Sequence, residues 1–238
     1  MGNIPAAPET QYATGASLRA RWLVVAAWAP ELRHLSAELA GLRSSVRKRV
    51  VLETVGVGLV EAAAGSARLF GRYRPDGVLL VGTAGCYARH THAFVIGSAA
   101  ICRRIRLLPP VLGSQHGFLP SIIPTQAKSS ATLVRALRKA TALPVADVAC
   151  PLAITTSKRA ASAAAEISGC SLENLEAFSV ARAAAAAGIP FAAVLGIANH
   201  VGPAAHAEWK EHGNAAAAAA CKAVLDFFLT APYGAQLV

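Results

Sequence analysis

Short apolar runs alternate with amphipathic stretches along most of the chain. Residues 21–29, RWLVVAAWA, have strand length and composition. Pro30 then opens a helical pattern, ELRHLSAELAGL, and proline is a common first-turn residue. Residues 50–58, VVLETVGVG, predict a second strand that ends in glycines and leads into helical LVEAAAGSARLFGRY. Residues 77–82, GVLLVG, are apolar throughout, so this strand is expected to be buried on both faces before it breaks into TAGCYA. FVIGSAAICRRIRL reads as one or two strands, and the proline- and glycine-rich residues 107–125 read as a surface loop. SATLVRALRKAT is an amphipathic helix, followed by an apolar strand near 149–156 and helical KRAASAAAEI. Glu176 opens a further helix whose natural stop is Gly188. Pro190, the strand FAAVLGIA and a closing helix from Asn214 complete the pattern.

Strands alternating with helices predict an α/β fold, with a mostly parallel twisted central sheet flanked by helices in a single-domain three-layer sandwich. Residues 1–20 read as a flexible extension and 21–238 as one catalytic domain. No repeat of fixed period is present.

Composition narrows the class. Hydrophobic residues make up 54% of the 238 and charged residues only 15%, which excludes a disordered chain. The net charge of +10 raises the question of an acidic partner, but the basic residues are scattered, and neither zinc-finger nor RNA-recognition motifs occur. Nucleic acid is therefore not an expected partner. The five cysteines are widely spaced without a C-x-x-C pair, so a reduced, cytoplasmic protein is expected. The start lacks the order of a signal peptide, and residues 183–198 are interrupted by Gly188 and Pro190, so no membrane segment is expected. The histidines show no metal-binding spacing, and no metal is expected.

Ligands of open α/β sheets bind at the carboxyl ends of strands. WAPE brings Glu31 to one such end, and GTAG brings Thr83 beside small residues that allow close backbone approach. SLENLEA places Glu173 and Glu176 at a helix start, and GIANHVG ends a strand with Asn199. Taken singly, each fits an ordinary turn or first-turn helix residue.

In order, WAPEL, VGVG, VLLVGTAG, ENLEAFSVA and GIPFAAVLGIAN resemble the purine nucleoside phosphorylase/uridine phosphorylase-like family over roughly residues 21–229. Within it the chain is most similar to the nucleosidase branch, and ENLEA with GIANHVG and a following EW most resembles the futalosine hydrolases. The resemblance implies roles. Glu31 falls where nucleosidases carry the carboxylate that activates water. Glu176 matches the glutamate that holds the ribose hydroxyls, and Asn199 the residue near purine N7. Thr83, with Ala84 and Gly85, matches the turn beside the sugar and nucleophile. Thr155 and Thr156 are expected along the base pocket, and Asn174 and Leu175 among the substrate contacts.

The implied reaction is hydrolysis of the N-glycosidic bond of a small purine nucleoside without cofactor, by a homo-oligomer such as a dimer. Futalosine, cut to hypoxanthine and dehypoxanthinyl futalosine on a route to menaquinone, is the expected substrate. An amide at 199 suits a 6-oxopurine, because it offers both a donor and an acceptor. Leu80 stands where the related phosphorylases carry a phosphate-binding arginine, which favours water as nucleophile. The positive charge is a candidate attractor for the futalosine carboxylate. The alternatives are a methylthioadenosine/S-adenosylhomocysteine nucleosidase and a catalytically inactive nucleoside-binding relative.

Overall fold

The computed structural model describes residues 22–42, 47–109 and 118–230. The expected extension at 1–20 and part of the proline-rich 107–125 lie outside these residues. Eight strands alternate with six helices among them. In chain order they are β1 (Trp22–Ala26), α1 (Arg33–Gly41), β2 (Val50–Thr54), α2 (Gly58–Tyr73), β3 (Gly77–Cys86) and β4 (Ala99–Leu108). There follow β5 (Gln126–Lys128), α3 (Ala131–Thr141), β6 (Val145–Pro151), α4 (Lys158–Ser168) and β7 (Leu172–Glu173). The last are α5 (Ala177–Ala186), β8 (Phe191–His200) and α6 (Ala205–Thr230).

The sheet is mostly parallel, as expected, with helices on both faces. β3 runs parallel to β1 and to β8, while β8 meets β4 antiparallel. Because β7 joins the end of β3 to β6, and β6 joins β4, the strands β3, β8, β4, β6 and β7 curl into a closed ring. β1 and β2 extend the sheet from β3, and β5 from β4.

Strand alternation builds two cores. Leu23, Val25, Val78, Leu80, Ala193 and Leu195 face one side, against α2 and α5. Val24, Ala26, Leu79, Val81, Ala192 and Val194 face the other, against α1, α3 and α6. Each central strand is thus buried on both faces, which explains its unbroken apolar character.

Four boundaries differ from the expectation. β3 continues through the small residues of TAGC to Cys86, because both sheet neighbours supply ladder partners there. β6 ends at Pro151, so Leu152 to Thr156 belong to the following loop. Residues 94–98 precede β4 and are not strand. α6 starts at Ala205, nine residues before the expected Asn214, through polar HAEWKEHG. Gly213 lies inside the helix, where an added Cβ would be 3.4 Å from the Trp209 ring.

Candidate active site

A cavity of about 390 Å³ opens at the carboxyl ends of the central strands, within the usual size of a small-ligand site. Glu31, Thr83, Ala84, Gly85, Asn174, Leu175, Glu176 and Asn199 all line it. The structure thus brings together residues from four separate segments. Thr155 and Thr156 are not among the lining residues, and Ile154 stands there instead.

Glu31 arrives by a tight 3-10 turn, Ala29–Leu32, that follows β1 and carries Pro30 at its second position. Its side chain is buried and held on three sides. The Ala27 N–H donates to Oε2 at 3.2 Å. The Thr83 N–H and hydroxyl donate to Oε1 at 3.1 and 3.2 Å. Burial and the nearby Glu176 carboxylate push its pKa up to about 7, against the opposing pull of those donors. A carboxylate poised there can accept a proton from water near neutrality.

Glu176 sits immediately before α5. Its Oε1 accepts from the Gly58 N–H at 2.8 Å, at the first turn of α2, where the unpaired amides favour an anion. Gly58 has φ of +85°, a backbone region that disfavours other residues. Burial nevertheless raises the Glu176 pKa, outweighing these hydrogen bonds.

Asn174 holds Glu176 in place. Its Oδ1 accepts from the backbone N–H of Glu176 and Ala177 at 2.9 and 2.8 Å, capping α5 from upstream. Its Nδ2 donates to Glu176 Oε2 at 3.1 Å and to the Thr83 carbonyl at 3.0 Å. Both donors and the carbonyl oxygen are thus engaged by the protein, so Asn174 positions the carboxylate.

Asn199 follows an irregularity in the β3–β8 ladder, where Ala84 pairs with Ile197 but Gly85 with Asn199. Such a bulge re-aims the next side chain. Its Nδ2 donates to the His200 carbonyl at 3.0 Å, leaving the oxygen and the second N–H. Gly85 is required by this packing: a Cβ there would fall 2.8 Å from Asn199 Nδ2.

Several site residues escaped the reading of the sequence. Trp28, Trp209 and His206 form an aromatic wall, with Trp28 and Trp209 centroids 6.0 Å apart and His206 stacked on Trp209 at 6.2 Å and 10°. Trp28 lies within WAPE, three residues before Glu31, and carries no titratable group to mark it in the sequence. Trp209 and His206 precede the helix start expected at Asn214, so their i, i+3 relation does not show in the sequence pattern. Glu173 lines the cavity but is committed to structure. It accepts from Tyr87 Oη at 2.9 Å, and from the Thr155 N–H and hydroxyl at 3.0 and 2.7 Å. Thr155 thereby anchors the loop that presents Ile154.

The five cysteines are free and buried, and burial raises the Cys86 thiol to about 11, which matches a structural role. Among the described residues no group of His, Cys, Asp and Glu suits a metal, and no helix is long and apolar enough to cross a membrane. Among the described residues, none that lines the cavity is Lys or Arg. Arg103 and Arg104 instead grip Asp147 on β6 at 3.0 and 2.5 Å.

Fold and cleft together define an α/β protein with a carboxylate-lined, aromatic-walled pocket at its strand ends. The chain belongs to the phosphorylase superfamily, whose family model matches residues 26–229. No curated protein matches the sequence. Among solved structures, the Helicobacter pylori 5′-methylthioadenosine/S-adenosylhomocysteine nucleosidase, bound to butyl-thio-DADMe-Immucillin-A, has a TM-score of 0.77 at 15% identity. The alignment covers 88% of this chain and 97% of that one. The Neisseria meningitidis nucleosidase of the same type, with methylthio-immucillin-A, gives 0.74 at 18% identity, covering 87% and 97%. The futalosine hydrolase of Helicobacter pylori gives 0.76 at 15% identity, also covering 87% and 97%.

Proposed function

We propose that the protein is a nucleosidase that hydrolyses the N-glycosidic bond of a purine nucleoside, with residues 22–230 carrying the catalytic domain. The observation that carries this reading is the meeting of Glu31, Glu176 and Asn199 in one cavity of nucleoside size. Cleavage builds positive charge on the ribose and negative charge on the departing base. In the proposed mechanism, Glu31 orients a water molecule through Oε2 and takes its proton as the oxygen bonds to C1′. The C1′–N9 electron pair leaves with the purine, which takes a proton at N7 from solvent water, and Glu31 returns its own proton to solvent afterwards. Glu176 accepts from ribose hydroxyls and stabilises the charge developing beside them. Asn199 cannot act as a general acid, but its free oxygen and N–H match a protonated N7 and a 6-oxo group.

Water is preferred to phosphate because the wall holds three carboxylates and, among the described residues, no Lys or Arg. A phosphate dianion there would meet like charge without a paired cation. Within this class we favour futalosine, split to hypoxanthine and dehypoxanthinyl futalosine. The amide at 199 suits the 6-oxopurine, and the flat faces of Trp28, Trp209 and His206 suit an aryl group at the 5′ end. A second reading is methylthioadenosine/S-adenosylhomocysteine hydrolysis, favoured by the apolar Val57, Ile154 and Leu175, which would accept a thioether. A homo-oligomer fits both readings, since Val57 and Ile154 at the cavity rim are 59% and 52% exposed and would be covered by a neighbour.

Base release from futalosine, aminofutalosine, methylthioadenosine and inosine, with and without phosphate, tests the reading. The expected result is release from one or more of them at a rate independent of phosphate. Strict phosphate dependence, or tight binding of nucleosides with no release, would overturn it.

A further inference from the structure

A hydrogen-bonded chain crosses the cavity wall from α6 to the proposed general base. Trp209 Nε1 donates to Thr83 Oγ1 at 3.1 Å, and Thr83 Oγ1 lies 3.2 Å from Glu31 Oε1. An indole N–H can only donate, so the Thr83 oxygen must accept from it. One hydroxyl has one proton, and the nearest remaining acceptor is the carboxylate. The direction of the chain is therefore set at its far end, on a helix.

We propose that Trp209 is a positioning residue, whose N–H orients the Thr83 hydroxyl as a standing donor to Glu31 Oε1. This inference rests on the nucleosidase reading for its effect on turnover, but not for its effect on Glu31. With Thr83 supplying two donors to Oε1, the second lone pair of Oε2 is the open place for the attacking water. The arrangement also opposes burial. The Thr83 hydrogen bonds hold the Glu31 pKa down while burial and Glu176 push it up. The other groups facing Glu31 are His206 from α6 and Glu173 from β7, which line the same cavity, and the Cys221 thiol of α6, which donates to the Glu31 carbonyl at 3.1 Å. Trp209, by contrast, acts on Glu31 through the Thr83 hydroxyl.

W209F keeps an aromatic ring in the wall and removes the N–H. The test is the titration of the Glu31 carboxyl, read by carbon-13 NMR without substrate and assigned by its loss in E31Q. W209F should move that titration upward by roughly half a unit to one unit, the range of a neutral hydrogen bond. T83S, which keeps the hydroxyl, should leave it in place. In a T83A background, W209F should move it no further. Where the wild type releases base, the acid limb of kcat/KM should move with the titration. No shift in W209F, or an equal shift in the T83A background, would overturn the relay. Loss of the nucleosidase reading would appear separately, as a wild type that releases no base from any nucleoside while the titration still responds to W209F.

Discussion

The side chains that make the cavity chemically unusual are two buried carboxylates close enough to raise one another's cost of ionisation. Glu31 feels burial and the Glu176 charge, and its pKa rises to about 7. As the base in hydrolysis it must be ionised, so kcat/KM should climb with pH through about 7 and stay high above it; a profile already flat from pH 5 would contradict the assignment. Asn174 supports this pair through its amide nitrogen, 3.1 Å from Glu176 Oε2. N174D would place a carboxylate oxygen against that atom, so kcat/KM at pH 7 is expected to fall at least about tenfold, on the order of a lost charge-assisted hydrogen bond plus repulsion. Steady-state kinetics across pH would check both effects, with partial recovery of N174D at higher proton concentration excluded as long as Glu31 must stay ionised.

At the scale of elements, the site depends on how two strands end. β3 and β8 run side by side, and the ladder shift at Gly85 turns Asn199 toward the cavity. G85A would drive a methyl group to within 2.8 Å of Asn199 Nδ2. The expected outcome is a loss of base release of tenfold or more, with a smaller cost in folding of about 1–3 kcal/mol. Denaturant melts beside kinetics would separate the two, and a variant that keeps full activity would show that Asn199 need not sit where it does. The apolar runs of β1, β3 and β8 were legible because these strands are buried on both faces. The start of α6 was not, because none of residues 206–212 is buried and a glycine follows them, so no apolar periodicity marks its first turns. Glu31, Glu176 and Asn199 could be named because they stand at strand or helix ends within recognisable motifs. The hold that Asn174 and Trp209 have on Thr83 could not, since it consists of hydrogen bonds across 91 and 126 residues of chain.

For the whole molecule, a base kept ready for catalysis costs stability. An unfolded Glu31 would lose its proton near the ordinary value of 4.5, whereas the folded one keeps it to about 7. Between those values the native state binds more protons than the unfolded one, so stability falls as pH rises and levels off above pH 7. The full cost is about 3 kcal/mol. E31Q removes the charge, so above pH 7 it should be more stable than the wild type by about 1–3 kcal/mol, the lower end allowing for an amide N–H set against the Ala27 donor. The difference should close toward pH 4. Urea melts at pH 8 and pH 4 would check it, and a variant less stable than wild type at pH 8 would contradict the burial argument. Such a trade between stability and function is common at active sites.

The claim on which the functional reading depends is that Glu31 and Glu176 act on one nucleoside in one cavity. Base release by wild type, E31Q, E176Q and the double variant tests it most directly. The expected result is a loss of roughly a thousandfold or more in E31Q and on the order of a hundredfold in E176Q, with the double variant little slower than E31Q, because groups acting on one transition state are not additive. Either single variant turning over at the wild-type rate would contradict it.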